Sequence, residues 1–291
     1  MGGEESKPAA PSPFFSTAWR NIAWGDSGNQ KALQYLKDYK PETGGQKLRI
    51  LLHGPVGAGK SSFINSVQSV FKGKIYRRAG VDNMGADDSF TKKYTTYRVQ
   101  KEGPKSSYPF VFNDIMGLEI KGVLVDDIKL ALRGHVKNNY TFNPVSKLSE
   151  KDPFYNKSPT DNDKVHVLVC VVPANTVADI KHAVVQKIRE IRMEASDLGI
   201  PQLAIITKID EVCPEIKEDL KNVYRLKKVK ATMEEFSVKV GIPMNCIFPV
   251  KNYHEEDNLN RDIDSLILSS MKGIIDAGNE FLDELCQCDS D

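Results

Sequence analysis

Apolar and polar positions follow two different periods from about residue 47 to the end of the chain. Residues 48–53 and 165–172 are nearly continuous apolar runs, the pattern of strands that are buried on both faces. Residues 178–198 instead carry apolar side chains every three or four positions, which indicates an amphipathic helix. Because strands and helices alternate in this way, the sequence predicts an α/β fold whose mostly parallel sheet has helices on both faces.

The same two periods predict the remaining elements. A helix capped by Asn29 is expected to run through Leu36 and to end before Pro41. Further strands are predicted over residues 94–99, 109–113, 202–206 and 246–250, and further helices over residues 60–71, 123–136, 215–239 and 259–285. The pattern over 215–239 fits either one helix or two.

Three segments divide the chain. Residues 1–13 contain two adjacent glycines and several prolines without an apolar period, which predicts a disordered lead. Residues 14–46 include both tryptophans, so we expect this segment to dock on the core. Residues 47–291 are predicted to form one domain. It is enlarged by an insertion at about 137–164, which is longer than an ordinary connection.

Composition and charge narrow the possible partners. The 291 residues include 40 Lys+Arg and 39 Asp+Glu, a net charge of +1, which does not indicate a nucleic-acid partner. The five cysteines have no disulfide or zinc spacing, so a reducing, cytoplasmic location is expected. No apolar run reaches the roughly 18 residues that indicate a transmembrane helix.

The first residues offer one route to a membrane. Gly2 follows the initiator methionine and Ser6 lies four positions later, which is the spacing of an N-myristoylation signal. Glycine at this position is also common by chance. Membrane contact is therefore expected only if Gly2 is acylated, and a single myristoyl chain anchors weakly.

A glycine-rich loop directly follows the first predicted strand. It reads Gly-Pro-Val-Gly-Ala-Gly-Lys-Ser and matches G-x-x-x-x-G-K-[ST] between a buried strand and an amphipathic helix. Successive N–H groups of such a loop point at one phosphate chain, at the positive end of the helix. Its lysine reaches the β and γ phosphates, and its hydroxyl is a Mg²⁺ ligand. The predicted phosphate contacts are Gly54, Val56, Gly57, Ala58, Gly59, Lys60, Ser61 and Ser62.

A second phosphate motif follows the predicted strand at 109–113. Asp114 and Gly117 form D-x-x-G at the end of that strand. A carboxylate at this position holds Mg²⁺, usually through water, and the glycine N–H is positioned to bind the γ-phosphate. We therefore predict that Ser61 and Asp114 form the metal site and that Gly117 contacts phosphate.

A third motif predicts which base is bound. The segment that begins at Thr207 reads Thr-Lys-Ile-Asp and matches the guanine-reading pattern [NT]-K-x-D. The Asp210 carboxylate can accept from the ring N–H and the exocyclic amine of guanine, a pair of donors that adenine lacks. Thr207 replaces the more usual asparagine, and the Lys208 stem would lie along the base plane. In the loop after the last predicted strand, either Lys251 or Asn252 could contact the guanine base, and we assign this contact to Lys251.

Two features bear on hydrolysis. Thr91, Thr95 and Thr96 are all candidates for the threonine that orders with the γ-phosphate, and their spacing does not decide between them. Leu118 occupies the position after Gly117, where many small GTPases carry a glutamine that orients the attacking water. Because leucine cannot position water, intrinsic hydrolysis is expected to be slow or to need a group from a partner or a second copy of the chain.

Several segments together resemble the interferon-induced protein 44 family. The resemblance extends over about residues 14–285 and implies a cytoplasmic, interferon-inducible GTP-binding protein with roles in antiviral or immune responses and growth restraint. Longer members of the family carry an N-terminal TLDc domain, and the sequence before Trp19 is too short for one, so a member with a G domain only is expected. The matching segments are Trp19-Arg-x-Ile-x-Trp24, the phosphate-loop segment 54–67, Leu118 after Gly117, and Tyr140-x-Phe-Asn-Pro144.

The sequence thus predicts a three-layer P-loop NTPase fold of the GTPase-like kind that binds GTP or GDP with Mg²⁺. It would act as a switch or control assembly, through an unidentified protein partner or self-association at the nucleotide face. A nucleotide-bound scaffold that never hydrolyses is the alternative, and an ATPase is a third possibility.

Overall fold

A six-stranded sheet forms the centre of the protein in the computed structural model, which describes residues 12–42, 44–77, 92–101 and 106–288. The strand order is β2-β3-β1-β4-β5-β6, in which β2 is antiparallel to β3 and every other pair is parallel. The predicted mostly parallel sheet is therefore confirmed. The strands are β1 (Leu48–His53), β2 (Thr95–Gln100), β3 (Ser107–Asp114), β4 (Val167–Pro173), β5 (Gln202–Thr207) and β6 (Ile247–Pro249).

The two central strands owe their apolar runs to cover on both faces. All seven residues of β4 are buried, and five of the six residues of β1 are buried. The side chains of Leu48 and Val167 contact helix α7, whereas the opposite face of the sheet carries Arg49 and His53. A side chain on either face therefore meets protein, which is why β1 and β4 show no alternating pattern.

Seven helices cover the sheet in the described part of the chain. The long helix α7 packs with α1 and α2, while α4 packs with α3 and α6. Among these residues, none of the helices is both long and apolar enough to cross a membrane. The helices are α1 (Gly25–Asp38), α2 (Lys60–Lys72), α3 (Val125–Leu132), α4 (His182–Asp197), α5 (Pro214–Glu218), α6 (Lys227–Val240) and α7 (Arg261–Cys288).

The boundaries of several predicted helices differ from the observed ones. Helix α1 begins at Gly25, so the prediction that Asn29 caps it is wrong; the Asn29 amide instead donates to the Arg261 carbonyl oxygen at 2.8 Å and accepts from Ser265 Oγ at 2.7 Å. Helix α3 ends at Leu132, shortly before Gly134 with φ +82°. For the segment 215–239, where one helix or two were predicted, the structure has two, α5 and α6, joined by a 3₁₀ turn.

The segment before α1 lies against the region between α5 and α6. The backbone N–H of Trp19 donates to the Tyr224 carbonyl oxygen at 2.9 Å, and the two rings meet edge to face with centroids 5.1 Å apart. The Arg20 guanidinium donates to the carbonyl oxygens of Ile247 and Met244 at 2.6 and 2.5 Å. These contacts attach residues 14–24 to the core beside β6. Residues 1–11 of the predicted lead, including Gly2, lie outside the described residues.

Residues 137–164 form irregular structure that packs against β2 and α3. Tyr140, Phe142 and Leu148 are buried in it. The buried Asp127 carboxylate of α3 accepts from the Leu148 N–H at 2.7 Å and from the Tyr140 hydroxyl at 3.2 Å. Because burial raises the pKa of Asp127 more than these bonds lower it, this carboxyl group is easier to protonate than an exposed one.

Candidate nucleotide-binding site

The phosphate loop connects β1 to α2 and depends on glycine where it leaves the strand. Gly54 has φ +142°, and a Cβ atom there would lie 2.0 Å from the carbonyl oxygen of Val171 on the neighbouring strand. Gly59 has φ +85° and directly precedes the first residue of α2. Glycine at these positions therefore lets the loop backbone pass close to β4 and turn its N–H groups toward the start of α2.

Lys60 is the first residue of α2, directly after this loop, and is almost fully buried. Its ammonium group donates to the carbonyl oxygens of Gly54 and Pro55 at 3.3 and 3.2 Å. These bonds hold the side chain back over the loop, so its positive charge lies where a phosphate chain would follow the loop N–H groups. The arrangement is suited to binding an anion.

Ser61 and Asp114 form a hydrogen-bonded pair at the start of α2. The Ser61 hydroxyl donates to Asp114 Oδ2 at 2.5 Å, and both side chains are buried. A hydroxyl and a carboxylate are oxygen ligands of the kind that Mg²⁺ prefers. The donor set therefore fits the predicted metal site.

The D-x-x-G segment packs directly on the phosphate loop. The Leu118 N–H donates to the Gly54 carbonyl oxygen at 2.9 Å, and Leu118 forms a parallel bridge with Pro55. A Cβ atom on Gly117 would lie 2.4 Å from Val56 Cγ2 and 2.7 Å from the Val56 nitrogen, so only glycine permits this contact. The Leu118 side chain is buried in the core.

The end of β5 is tied to the same loop. The Thr207 hydroxyl donates to the Ala58 carbonyl oxygen at 2.7 Å, and a Cβ atom on Gly59 would lie 3.7 Å from Thr207. Lys208 follows in the left-handed conformation with φ +54°. This bend turns the chain directly after the strand, so that Asp210 follows in a 3₁₀ turn.

Two residues after β6 also reach this region. The Lys251 ammonium lies 3.9 Å from Asp210 Oδ2 and 2.8 Å from Glu256 Oε1. The Asn252 amide donates to the Gly59 carbonyl oxygen at 3.2 Å. Asn252 thus contacts the phosphate loop and Lys251 contacts the base motif, although the sequence offered them as alternatives for one role.

The candidate switch threonines lie on opposite faces of β2. Thr95 pairs with Asp114 in the antiparallel register, whereas Thr96 pairs with Asn113 and accepts from its amide at 2.8 Å. Because directly paired residues share a face of the sheet, Thr95 is on the face that carries Asp114. Thr91 lies outside the described residues.

A buried histidine lies next to the phosphate loop, and no role was predicted for it. His53 ends β1, is fully buried, and has no hydrogen-bond partner on either ring nitrogen among the described residues. Burial, with the positive charges of Lys60 and Arg192, lowers its pKa to about 3. The ring is therefore neutral at pH 7. The sequence shows that His53 directly precedes Gly54, but it does not show that the ring is fully buried.

The structure brings the predicted phosphate, metal and base segments to one edge of the sheet, where β1, β3 and β5 end. In the part of the chain that is described, no group of three or more His, Cys, Asp or Glu side chains could hold a metal ion. A mostly parallel sheet with a phosphate loop after β1 and a Ser–Asp pair beside it defines the P-loop NTPase fold.

Comparison with known proteins identifies the relatives. The chain is homologous to interferon-induced protein 44: it is 38% identical to the mouse protein over 257 residues and 35% identical to the human protein over 259 residues, 87% of this chain in each case. It is 32% identical to human interferon-induced protein 44-like over 260 residues. The chain spans 57–60% of the length of these relatives. No protein-family model matches it.

Among solved structures, this chain aligns with that of Toc33 from Arabidopsis thaliana in complex with GDP and Mg²⁺. It has a TM-score of 0.47 and 14% identity, over 87% of this chain and 93% of that one.

Proposed function

We propose that this protein binds GTP or GDP with Mg²⁺. The observation that carries the proposal is the hydrogen bond from Thr207 to Ala58, because it joins the base-reading motif to the phosphate loop. A site that combines the two motifs at one sheet edge suits a ligand with a phosphate chain at one end and a base at the other.

The phosphate end would be held by the loop N–H groups of residues 54–61, by Lys60 and by Gly117. Ser61 and Asp114 would hold Mg²⁺, the latter through water, and the bound ion would neutralise charge on the phosphates. The buried Ser61–Asp114 pair supports this assignment because its oxygens are already side by side.

The base end would be read by Asp210, with Lys208 along the ring. An unpaired carboxylate beside adenine would lose hydrogen bonds that guanine supplies, which disfavours ATP. The Lys251 ammonium lies 3.9 Å from Asp210 Oδ2, so we assign Lys251 to positioning that carboxylate.

Slow intrinsic hydrolysis follows from Leu118. Its side chain is buried and its backbone is bridged to Pro55, so it offers no polar group to an attacking water. A partner protein or a second copy of the chain, meeting the nucleotide face, would have to supply one. The same observation favours the second candidate function, a scaffold that holds nucleotide permanently.

The names of the relatives support a biological setting. We propose an interferon-induced, cytoplasmic protein of the antiviral or immune response, in which the bound nucleotide controls a conformational switch or assembly. The composition and the site offer no sign of nucleic-acid binding, and membrane contact would need acylation of Gly2.

The decisive experiment identifies the nucleotide. Purified protein is denatured, the released nucleotide is identified by chromatography, and GTP and ATP are compared in competition for the emptied site. We expect guanine nucleotide and a strong preference for GTP, which Asp210→Asn abolishes and the exposed control Asp197→Asn leaves intact. Equal affinity of the unchanged protein for ATP would refute the base assignment.

Turnover distinguishes the switch from the scaffold. With Mg·GTP, an assembly-controlled GTPase hydrolyses faster per molecule as protein concentration rises. A scaffold retains its nucleotide without turnover at every concentration. Rapid single-turnover hydrolysis in dilute monomer would contradict the role given to Leu118.

A further inference from the structure

A polar cavity of about 310 Å³ lies on the sheet face that carries Arg49 and His53, away from the contact between α7 and β1. Residues of β1 and β2 form one side of it, and residues from the segment 136–163 form the other. Its volume is at the lower end of the range for small-molecule sites. The side chains that matter most in its lining are Arg49, Thr96, Arg98, Lys137, Asn138 and Asp163.

The lining carries more positive than negative charge. Three cationic side chains face one carboxylate, that of Asp163. The Asp163 carboxylate, whose Oδ2 accepts from the N–H and the hydroxyl of Thr160 at 2.9 and 2.8 Å, keeps its charge and offsets only one of the three positive charges. The cavity therefore attracts anions.

Arg49 contributes a positive charge from the middle of the sheet, close enough to Asp163 to help lower the pKa of that carboxyl group. Its guanidinium donates to the Asn162 carbonyl oxygen at 3.0 and 2.6 Å and to Asn113 Oδ1 at 3.1 Å. Both acceptors are neutral, so they orient the group without cancelling its charge. Because the guanidinium group is planar, these three hydrogen bonds also fix the directions of its remaining N–H groups.

Arg98 lies at the same level of the sheet on the other side of β3. Both Arg49 and Arg98 pair with Val111, one from β1 and one from β2. Two strand spacings separate their backbones, about 10 Å, which leaves room for a tetrahedral oxyanion between two long side chains. Arg98 is exposed, and its side chain makes no hydrogen bond or ion pair with another described residue.

We propose that this cavity is a second anion site, which binds a small phosphate-bearing molecule between the guanidinium groups of Arg49 and Arg98. Guanidinium groups match phosphate oxygens in pairs of parallel hydrogen bonds. The Asn138 side chain, which accepts from the Thr96 N–H at 2.8 Å, stands at the rim, where it can contact the rest of the ligand. The site is distinct from the phosphate loop because Thr96 and Asn113 face away from Asp114.

The site can be tested by nuclear magnetic resonance titration of the ¹⁵N-labelled protein with inorganic phosphate and with glycerol 3-phosphate. Sodium chloride of the same ionic strength serves as the blank. The amide signals of Thr96, Asn138 and Asn156 report on the cavity, while those of Gly57 and Ser61 report separately on the phosphate loop. We expect saturable shifts of the cavity signals. Tighter binding of inorganic phosphate would indicate a site for the free ion, and tighter binding of glycerol 3-phosphate would indicate a site for a phosphate ester.

Two matched variants complete the test. Arg98→Gln should weaken phosphate binding at the cavity about tenfold or more, because it removes one charged partner of the anion. Arg133→Gln, which breaks a surface ion pair with Glu194, should leave the affinity unchanged. Arg98 is chosen because it is exposed, whereas Arg49 also anchors the wall. Shifts that chloride reproduces, shifts confined to Gly57 and Ser61, or unchanged affinity in Arg98→Gln would each overturn the proposal.

Discussion

The Thr207 hydroxyl donates a 2.7 Å hydrogen bond to the carbonyl oxygen of Ala58, a residue 149 positions earlier in the chain. Both groups are buried. The bond holds the end of β5 against the phosphate loop, so the distance between the base and phosphate motifs depends on it. Asparagine, the more usual residue at this position, carries a side-chain N–H donor. Threonine carries an O–H donor in its place, and this hydroxyl reaches the carbonyl oxygen.

Thr207→Val should therefore destabilise the loop. The variant keeps the shape but leaves the Ala58 carbonyl oxygen without this donor, and we expect a loss of about 1–3 kcal/mol in the free energy of unfolding. GDP affinity should fall as well. Urea denaturation and calorimetric titration measure both quantities. Thr207→Ser retains the hydroxyl and should remain close to the unchanged protein; an equal loss in both variants would contradict the role of the bond.

Gly54 and Gly57 should respond differently to alanine, although both belong to the phosphate motif. A Cβ atom on Gly54 meets the Val171 carbonyl oxygen at 2.0 Å, while one on Gly57 meets nothing within 4 Å. We expect Gly54→Ala to cost at least about 3 kcal/mol of stability and Gly57→Ala about 1–2 kcal/mol, the latter for its positive φ alone. Denaturant midpoints decide it, and a similar cost at both positions would count against the close approach to β4.

The pairing of β2 with β3 predicts which threonine serves the metal. Thr95 shares a face with Asp114, and Thr96 is engaged with Asn113. Thr95→Ala should weaken Mg²⁺-dependent binding of a GTP analogue about tenfold, while Thr96→Ala should change it little. Fluorescent-nucleotide titrations with and without Mg²⁺ measure the difference. If Thr95→Ala binds as tightly as the unchanged protein, Thr95 does not have this role, and Thr91 is the next position to test.

His53 should make the fold sensitive to acid. Its pKa is lowered from 6.5 to about 3, so the neutral form is favoured by folding. The resulting stability is fully present above pH 6.5 and is lost as the pH falls toward 3; at pH 5 the loss is about 2 kcal/mol. His53→Leu should therefore lose less stability than the unchanged protein between pH 7 and pH 5 in urea titrations. The exposed His254→Leu is the control, and an identical pH dependence in His53→Leu would exclude the effect.

Asp127 should have the opposite pH dependence. Burial raises its pKa above 3.8, so its contribution is present below pH 3.8 and is lost as the pH rises through the folded-state value. The stability of Asp127→Asn relative to the unchanged protein should thus increase between pH 4 and pH 7. Urea denaturation over this range checks the slope. The exposed Asp197→Asn serves as the matched control, and a flat difference for Asp127→Asn would show that burial does not govern this carboxyl group.

Much of the fold was predictable because it depends on local pattern. Strand β1 was predicted with the observed bounds, and α2 and β5 to within one residue, since period and flanking glycines are properties of a short segment. The Asn29 cap was wrongly predicted because a good capping residue also makes good tertiary hydrogen bonds, and its partners Arg261 and Ser265 are distant in sequence.

The candidate site divides in the same way. The phosphate and base motifs were recognisable because their chemistry requires particular residue types at short spacing. The enclosure of His53, the burial of Asp127 and the contact of Asn252 with Gly59 were not predictable, since each depends on which distant segment covers the side chain.

By itself, then, the sequence determined the elements, the order of the motifs and the resemblance to interferon-induced protein 44. The tertiary structure alone decided that Thr95 faces Asp114, that Thr207 holds the phosphate loop, and that Arg49 and Arg98 flank one cavity. The physical reason is strand register: a shift of one residue moves every side chain to the other face of a sheet, and only the packed sheet with its covering helices selects among the registers.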